Sequence, residues 1–277
     1  MSPIKEPHFF NSDDRQAIRT LDEYEALFRD ATGQHIAVGE ASVWYLSSAN
    51  AVPAILRYQP EAKFIVMVHN PIEMAPALRG EMLLSGHEYQ QRLSIAWNLQ
   101  EERRRGRRIR GSWARRRFLY GEICSLGMQL QRLYETVSLH TVLTIILDDI
   151  RADPRREYLR ALKFLGVPDD GRLGFPIYNP ASAFRYPQIQ RVAYPILHVK
   201  NGLGVNSGLR LWTRVENLMR TERPREPLAP EMISVLIEYF RRDVELLGQL
   251  LGRDLRQWLA ASRETVSGRP NTSCASA

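Results

Sequence analysis

Lys63–Ala77 reads KFIVMVHNPIEMAPA, and the fold turns on how these fifteen residues are read. Phe64 to Val68 are all apolar and mostly β-branched, the composition of a strand buried on both faces of a parallel sheet. His69-Asn70-Pro71 ends the run. Pro71 suits the first position of a helix, where its missing N–H has no intrahelical partner to lose, and Glu73 falls in the first turn. Pro76 lies inside that helix and is expected to kink it or delay its start to about residue 77. In an open α/β sheet, ligands sit beyond the carboxyl ends of the strands, where helix N-termini offer free N–H groups to anions. Residues 69–77 therefore predict an anion-binding corner.

Working outward, Thr141–Leu147 (TVLTIIL) predicts a second buried strand, closed by Asp148-Asp149. That acidic pair reads as a cap or turn rather than a Mg²⁺ site. Asp153 and Pro154 open a helix that Gly166 ends. On the other side, His35–Glu40 (HIAVGE) predicts a short strand running into a glycine turn, followed by a loop at 42–46 and a helix over about 48–58. Thr20-Leu-Asp-Glu23 is a capping box ahead of the stripe Leu21, Tyr24, Leu27 and Phe28. Residues 88–105 and about 115–137 carry helical periodicity. Residues 168–230 are rich in Pro, Gly and Asn and predict a long loop region. Pro230 opens a final helix with the stripe Ile233, Leu236, Phe240, Val244, Leu247 and Leu251, stopped by Gly252. The result is one α/β domain over residues 1–260, a parallel sheet flanked by helices with a helical C-terminal part. A small, polar tail at 261–277 is expected to be disordered.

Composition sets outer limits. At 277 residues, with 44% apolar and 25% charged residues, the chain has the make-up of a globular domain with a full core. No apolar run approaches the roughly 20 residues of a membrane span, and MSPIKEPHFF contains no signal-peptide core. Two cysteines, Cys124 and Cys274, make no disulfide framework, which points to the cytoplasm. Cys124, on a helical apolar face, reads as a core residue. The six histidines, at 8, 35, 69, 87, 140 and 198, show no metal-ligand spacing, so no metal is expected. The net charge of +7 is local: residues 103–117 hold nine arginines and no acid. Taking these from the 38 basic residues leaves 29 against 31 acidic ones. The run reads as a solvated surface or a contact for an acidic glycan, ahead of a nucleic-acid site. Phe9 and Phe10, so near the start of the chain, imply a partner that buries them.

Several segments then occur in a recognisable order. They are Lys5-Glu-Pro-His-Phe-Phe10, Gly39-Glu-Ala-Ser42 with Tyr45-Leu46, Lys63–Ala77, and Ala96-Trp97 before Glu101-Glu102-Arg103. Asp148-Asp149, Phe164-Leu-Gly-Val167 and Leu251-Gly-Arg-Asp-Leu255 with Trp258 follow. The ordered set, over about residues 3–258, resembles the sulfotransferase family, specifically bacterial carbohydrate-type members related to heparan sulfate sulfotransferases. That resemblance implies a P-loop-like α/β sheet and transfer of a sulfuryl group from 3′-phosphoadenosine 5′-phosphosulfate (PAPS) to a hydroxyl or amine of a sugar-like acceptor, without a metal. It implies Glu6 as catalytic base, with His8 orienting it or the acceptor and Lys5 on the nucleotide side. A surface ion pair between Lys5 and Glu6 is the competing reading.

The resemblance also exposes departures. The family's 3′-phosphate site takes an Arg and a Ser at the positions held here by His69 and Ala77. Arg to His removes a permanent bidentate cation, and Ser to Ala removes a hydroxyl. Losing one charge-assisted and one neutral hydrogen bond weakens phosphate binding by about 2–4 kcal/mol, or roughly 30- to 1000-fold. Arg185, in the loop Asn179–Arg191 that corresponds to the family's nucleotide cover, is the remaining phosphate-contacting expectation. The family's first strand and glycine-containing phosphosulfate loop precede its KEPHFF-like segment, whereas this sequence opens on that segment and contains no G-x-x-x-x-G-K-[ST] motif elsewhere. A gap in the sheet is thus expected. A fragment, a decayed relative and a repurposed scaffold without catalysis all fit that expectation.

Overall fold

The computed structural model describes residues 2–14, 16–109, 115–176, 182–184, 220–222 and 227–260. Helix α1 (Leu21–Ala26) begins at the capping box: the Thr20 hydroxyl accepts from the Glu23 amide, and Glu23 reaches back to the Thr20 amide. Helix α2 spans Ala51–Tyr58 and strand β1 Phe64–Val68. Helix α3 runs Pro71–Leu84, α4 Leu93–Asn98 and α5 Gln100–Arg104. A 3₁₀ turn at Arg115–Phe118 leads into α6 (Tyr120–Cys124) and α7 (Leu126–Thr136). Strand β2 (Val142–Ile146) is followed directly by α8 (Leu147–Ala152) and α9 (Pro154–Leu165). Two short strands, β3 (Ser182–Phe184) and β4 (Arg220–Glu222), pair antiparallel, before α10 (Pro230–Leu251) and α11 (Gln257–Ala260).

Strands β1 and β2 pair in parallel from Phe64↔Val142 to Val68↔Ile146. This two-stranded ladder is the parallel sheet among the described residues. Val66 and Val68 are buried, but Ile65 and Met67 on the opposite face are exposed. The expectation of a strand covered on both faces is therefore corrected: five apolar residues sit on a sheet that, among the described residues, is packed on one side. His35–Glu40 is not a strand. The Thr32 amide instead donates to His35 Nδ1 and the His35 amide to the Thr32 carbonyl, closing a local turn. Ile36 and Val38 are left exposed, because β-propensity makes a strand only where a neighbour offers a ladder.

Pro76 neither delays nor ends α3. The Asn70 side chain caps the Ile72 amide, Pro71 stands at the first position, and the helix continues through Pro76 to Leu84. The two long helices expected at 88–105 and 115–137 are each broken, at Leu99, and at Leu119 and Ser125. The last break has a visible cause. Buried Asp243 of α10 takes the Gly127 and Met128 amides at 2.9 Å each, starting α7 anew there.

The core forms where α10 lies on α7 and α3. Leu236, Phe240, Val244 and Leu247 meet Leu126, Leu130, Leu133 and Tyr120, with Ile72 and Ala75 beneath. Burying each large apolar side chain contributes about 1.5–3 kcal/mol. The helices approach so closely that a Cβ on Gly127 would stand 2.3 Å from the Asp243 carbonyl oxygen. Helices α9 and α10 end at Gly166 and Gly252, both in the left-handed conformation. Phe9 and Phe10 find their partner in a second cluster with Ile18, Tyr24, Tyr45 and Tyr58. Phe9 stacks on Tyr24 at 4.6 Å and Phe10 meets it edge-on at 5.0 Å.

Candidate functional site

The Lys5–Asn11 segment is pinned between the second aromatic cluster and the turn at 40–45. Glu6 and His8 have φ of 57° and 52°, either side of Pro7. For side chains other than glycine this region costs about 1–2 kcal/mol per residue, so the surroundings must hold it. They do so through five hydrogen bonds. The Pro7 carbonyl accepts from Ala17 and Ile18, and the Asn11 amide donates back to the His8 carbonyl. The His8 amide donates to Ser42 Oγ at 3.1 Å, and the Phe10 amide to the Tyr45 hydroxyl at 3.3 Å. Ser42 Oγ in turn donates to Glu40 Oε2 at 2.9 Å.

This backbone brings His8 Nε2 to 3.4 Å from Glu6 Oε2, with Lys5 Nζ 3.9 Å from the other Glu6 oxygen. The His8 contact, with further help from Lys5 and Arg117, holds the Glu6 carboxyl below its ordinary range despite partial burial. Glu40 goes the other way: burial pushes its carboxyl up, against the pull of Tyr45, Ser42 and His8. Two carboxyls in one corner are thus driven apart, the pattern that separates proton-accepting from proton-holding groups at reactive sites. His8 Nδ1, Glu40 Oε1 and both side-chain ends of fully buried Asn11 have no hydrogen-bond partner among the described residues. Buried polar atoms are nearly always paired, so this corner has hydrogen-bonding capacity to spare for a ligand.

The corner after β1 is different. His69 Nε2 lies 3.1 Å from Glu73 Oε2 one helical turn on. Arg151 of α8 contacts the same oxygen at 3.2 Å while also holding Asp148. His69, followed by Arg151, draws the Glu73 carboxyl below its ordinary range. Ala77 sits half-buried two turns along α3 and presents no polar atom. Helix start and imidazole are gathered as expected, and Arg151 joins them, but around the protein's own carboxylate. Nearby, Asp148 accepts from Trp258 Nε1 at 2.7 Å and Asp149 pairs with Arg253 at 3.0 Å. The acidic pair thereby ties down the C-terminal segment.

The arginine run is largely neutralised by the protein itself. Arg104 pairs with Glu101 and Glu122, Arg105 with Glu101, Arg108 with Glu102, Arg116 with Asp13 and Arg117 with Asp14. Arg103 is fully buried with Nη2 2.8 Å from both oxygens of Glu88, one of which also accepts from the Tyr120 hydroxyl. Arg185 and its loop lie outside the described residues, as does the 261–277 tail. Cys124 is buried, which pushes its thiol far up and makes it inert. Among the described residues no group of three His, Cys, Asp or Glu is placed to hold a metal, and no helix is long and apolar enough to cross a membrane.

Sequence reading brought forward Glu6 and His8, which the structure places together, and His69, which it places elsewhere. It gave no role to Glu40, Ser42, Tyr45 or Asn11. The Gly39–Ser42 and Tyr45 motif was the available signal, but its link to His8 crosses 34 residues and no local spacing encodes it.

No family model matches the chain, and no curated protein does. Among solved structures, the chain is similar to a sulfotransferase from Alicyclobacillus acidocaldarius. The two are 22% identical, with a TM-score of 0.64, over 93% of this chain and 87% of that one. The likeness shows a sulfotransferase-like fold, a small parallel sheet among many helices.

Proposed function

We propose that this protein transfers a sulfuryl group from PAPS to a hydroxyl or amine of a carbohydrate-like acceptor. The observation that carries the reading is the Glu6–His8 pair. It is a carboxylate kept ionised beside a buried imidazole with a free nitrogen, held by strained backbone, on a sulfotransferase-like fold. In the reaction the acceptor oxygen or nitrogen bonds to sulfur. The sulfur–oxygen bond to the 5′-phosphate breaks, 3′-phosphoadenosine 5′-phosphate departs with the electron pair, and Glu6 takes the acceptor proton. A depressed pKa makes Glu6 a weak base that is always ready, which suits a loose transition state in which the proton leaves late. The free His8 nitrogen is available to orient the acceptor or Glu6. Lys5, His69 and Arg185 are assigned to the nucleotide, His69 after release from Glu73, and Ala77 marks where a hydroxyl contact is missing. No metal takes part.

The test pairs two measurements on the purified chain: calorimetric titration with 3′-phosphoadenosine 5′-phosphate, and sulfuryl transfer from PAPS to sugar acceptors by wild type and Glu6→Gln. Saturable micromolar binding with transfer lost in the folded variant supports the reading. An unchanged rate removes Glu6 from the mechanism. A second reading, a scaffold of this fold without catalysis, is favoured by one observation, the occupation of His69 and Arg151 by Glu73. A folded, monodisperse protein that ignores the nucleotide would make that reading the better one. The arginine run carries little as a nucleic-acid surface, because six of its nine arginines are paired within the chain.

A further inference from the structure

The Glu6–Pro7–His8 turn is held in its left-handed conformation from outside itself, and one of the five bonds, that of the His8 amide, ends on a side-chain hydroxyl that is itself oriented. Ser42 Oγ receives the His8 amide at 3.1 Å and gives its own proton to Glu40 Oε2 at 2.9 Å. The Glu40 carboxylate thus fixes the rotor, so that a lone pair of Ser42 faces the His8 amide. Three residues on, Tyr45 repeats the arrangement, its hydroxyl receiving the Phe10 amide at 3.3 Å. The two contacts differ in what they serve. The Tyr45 contact lies inside the aromatic cluster, where Phe10 is already clamped by Tyr24 and Tyr58. The Ser42 contact acts at the strained residue itself, whose ring stands 3.4 Å from Glu6.

We propose that Ser42, oriented by Glu40, is a positioning residue that holds the His8 backbone in its left-handed conformation and so sets the meeting of the His8 imidazole with the Glu6 carboxylate. Its relevance to catalysis rests on the sulfuryl-transfer reading above; the positioning itself does not. A carboxyl carried into a partly buried corner, where it engages the Ser42 and Tyr45 hydroxyls, is a poor device for stability alone, since burying a polar group is unfavourable unless its partners are good. It is a sound device for precision, because two linked hydrogen bonds fix direction as well as distance. Without the hydroxyl, the left-handed turn loses one of the five bonds that oppose its strain, the one made by the His8 amide itself. His8 relaxes away, and Glu6 keeps only Lys5 and Arg117 as charges drawing its proton off.

The experiment compares Ser42→Ala, Ser42→Thr and Tyr45→Phe in the full chain by amide hydrogen exchange, carboxyl NMR titration of Glu6, and transfer kinetics. Ser42→Ala is expected to lower the protection of the His8 amide at least tenfold relative to that of Phe10, and to move the Glu6 titration toward the ordinary carboxylate range. It should lower kcat about 10- to 100-fold while leaving KM for the nucleotide within about twofold. Ser42→Thr keeps the hydroxyl and should restore all three readouts. Tyr45→Phe, which also removes a bond to Glu40, should expose the Phe10 amide more than the His8 amide. Equal loss of protection at both amides in Ser42→Ala would signal general loosening and overturn the proposal, as would a Glu6 titration that does not move. If wild type transfers no sulfuryl group but the exchange and titration results appear as stated, the positioning stands and the catalytic reading falls.

Discussion

The corner after β1 and the turn around Pro7 both gather carboxylate and imidazole, and they use them in opposite ways. After β1, Glu73 satisfies His69 and Arg151 together, and Arg151 also holds Asp148. Every charge has a partner within the chain. Around Pro7, the backbone is strained, one carboxyl is drawn down and another pushed up, and buried polar atoms on His8, Asn11 and Glu40 find no partner among the described residues. The first is an anion corner filled from within, and the second a corner with bonding capacity left open. Charge density alone would have ranked them the other way, and would have ranked the arginine run above both.

The largest expected effect separates the two corners directly. Glu6→Gln should lower turnover at least about 100-fold, within the range for losing a general base, whereas Glu73→Gln should leave turnover within a few-fold. Steady-state kinetics on both variants checks this, and equal losses would erase the distinction. Next in size is repair of the closed corner. His69→Arg with Ala77→Ser should tighten 3′-phosphoadenosine 5′-phosphate by about 10- to 100-fold, the gain of one charge-assisted and one neutral hydrogen bond. Titration calorimetry reads it, and no gain would mean that Glu73 captures the new arginine as it captures His69. A smaller gain, severalfold, is expected from Glu73→Gln alone, since it frees His69 and Arg151.

Acid offers a finer comparison. Glu73 has a folded-state pKa below its unfolded one, so its contribution to stability is complete above about pH 4.5 and is lost as pH falls through the lower folded value. Thermal unfolding between pH 6 and pH 3 should therefore fall less steeply in Glu73→Gln than in wild type. Glu6 carries the same sign, so the acid limb of the transfer rate should lie below the ordinary carboxylate range of about 4.3. A limb at or above that value would mean that the His8 contact does not persist in the working enzyme. The smallest effect concerns residues 103–117: with six of its arginines matched in the chain, duplex DNA binding should be negligible at about 0.15 M salt, by fluorescence anisotropy.

How much of this was readable in advance follows the range of the forces involved. Thr20 with Glu23, Asp153 with Pro154 and Gly166, and Pro230 with Gly252 fix helix ends through bonds three or four residues long, and each stands where the sequence predicts it. Both parallel strands were legible from composition. His35–Glu40 was not, because its alternation needs a neighbouring ladder that the fold does not supply. Pro76 misled because its missing N–H is only one bond among the many of a fourteen-residue helix already capped by Asn70. The breaks at Ser125 and the hold of Ser42 on His8 were invisible for the same reason. Asp243 stands 116 residues from Gly127, and Ser42 stands 34 from His8.

The seam between α7 and α10 has a further consequence for the order in which the protein is made. Its two halves are separated by roughly a hundred residues, and contacts of that span form late. While the ribosome works through the intervening chain, the face bearing Leu126, Leu130 and Leu133 waits in water without its partner, and the Gly127 and Met128 amides wait without Asp243. Nascent chains that stop before Pro230 therefore carry an adhesive, unfinished helix, the kind of surface that chaperones hold and that aggregates when they do not. Completion of α10 is the moment at which that face and those amides are covered.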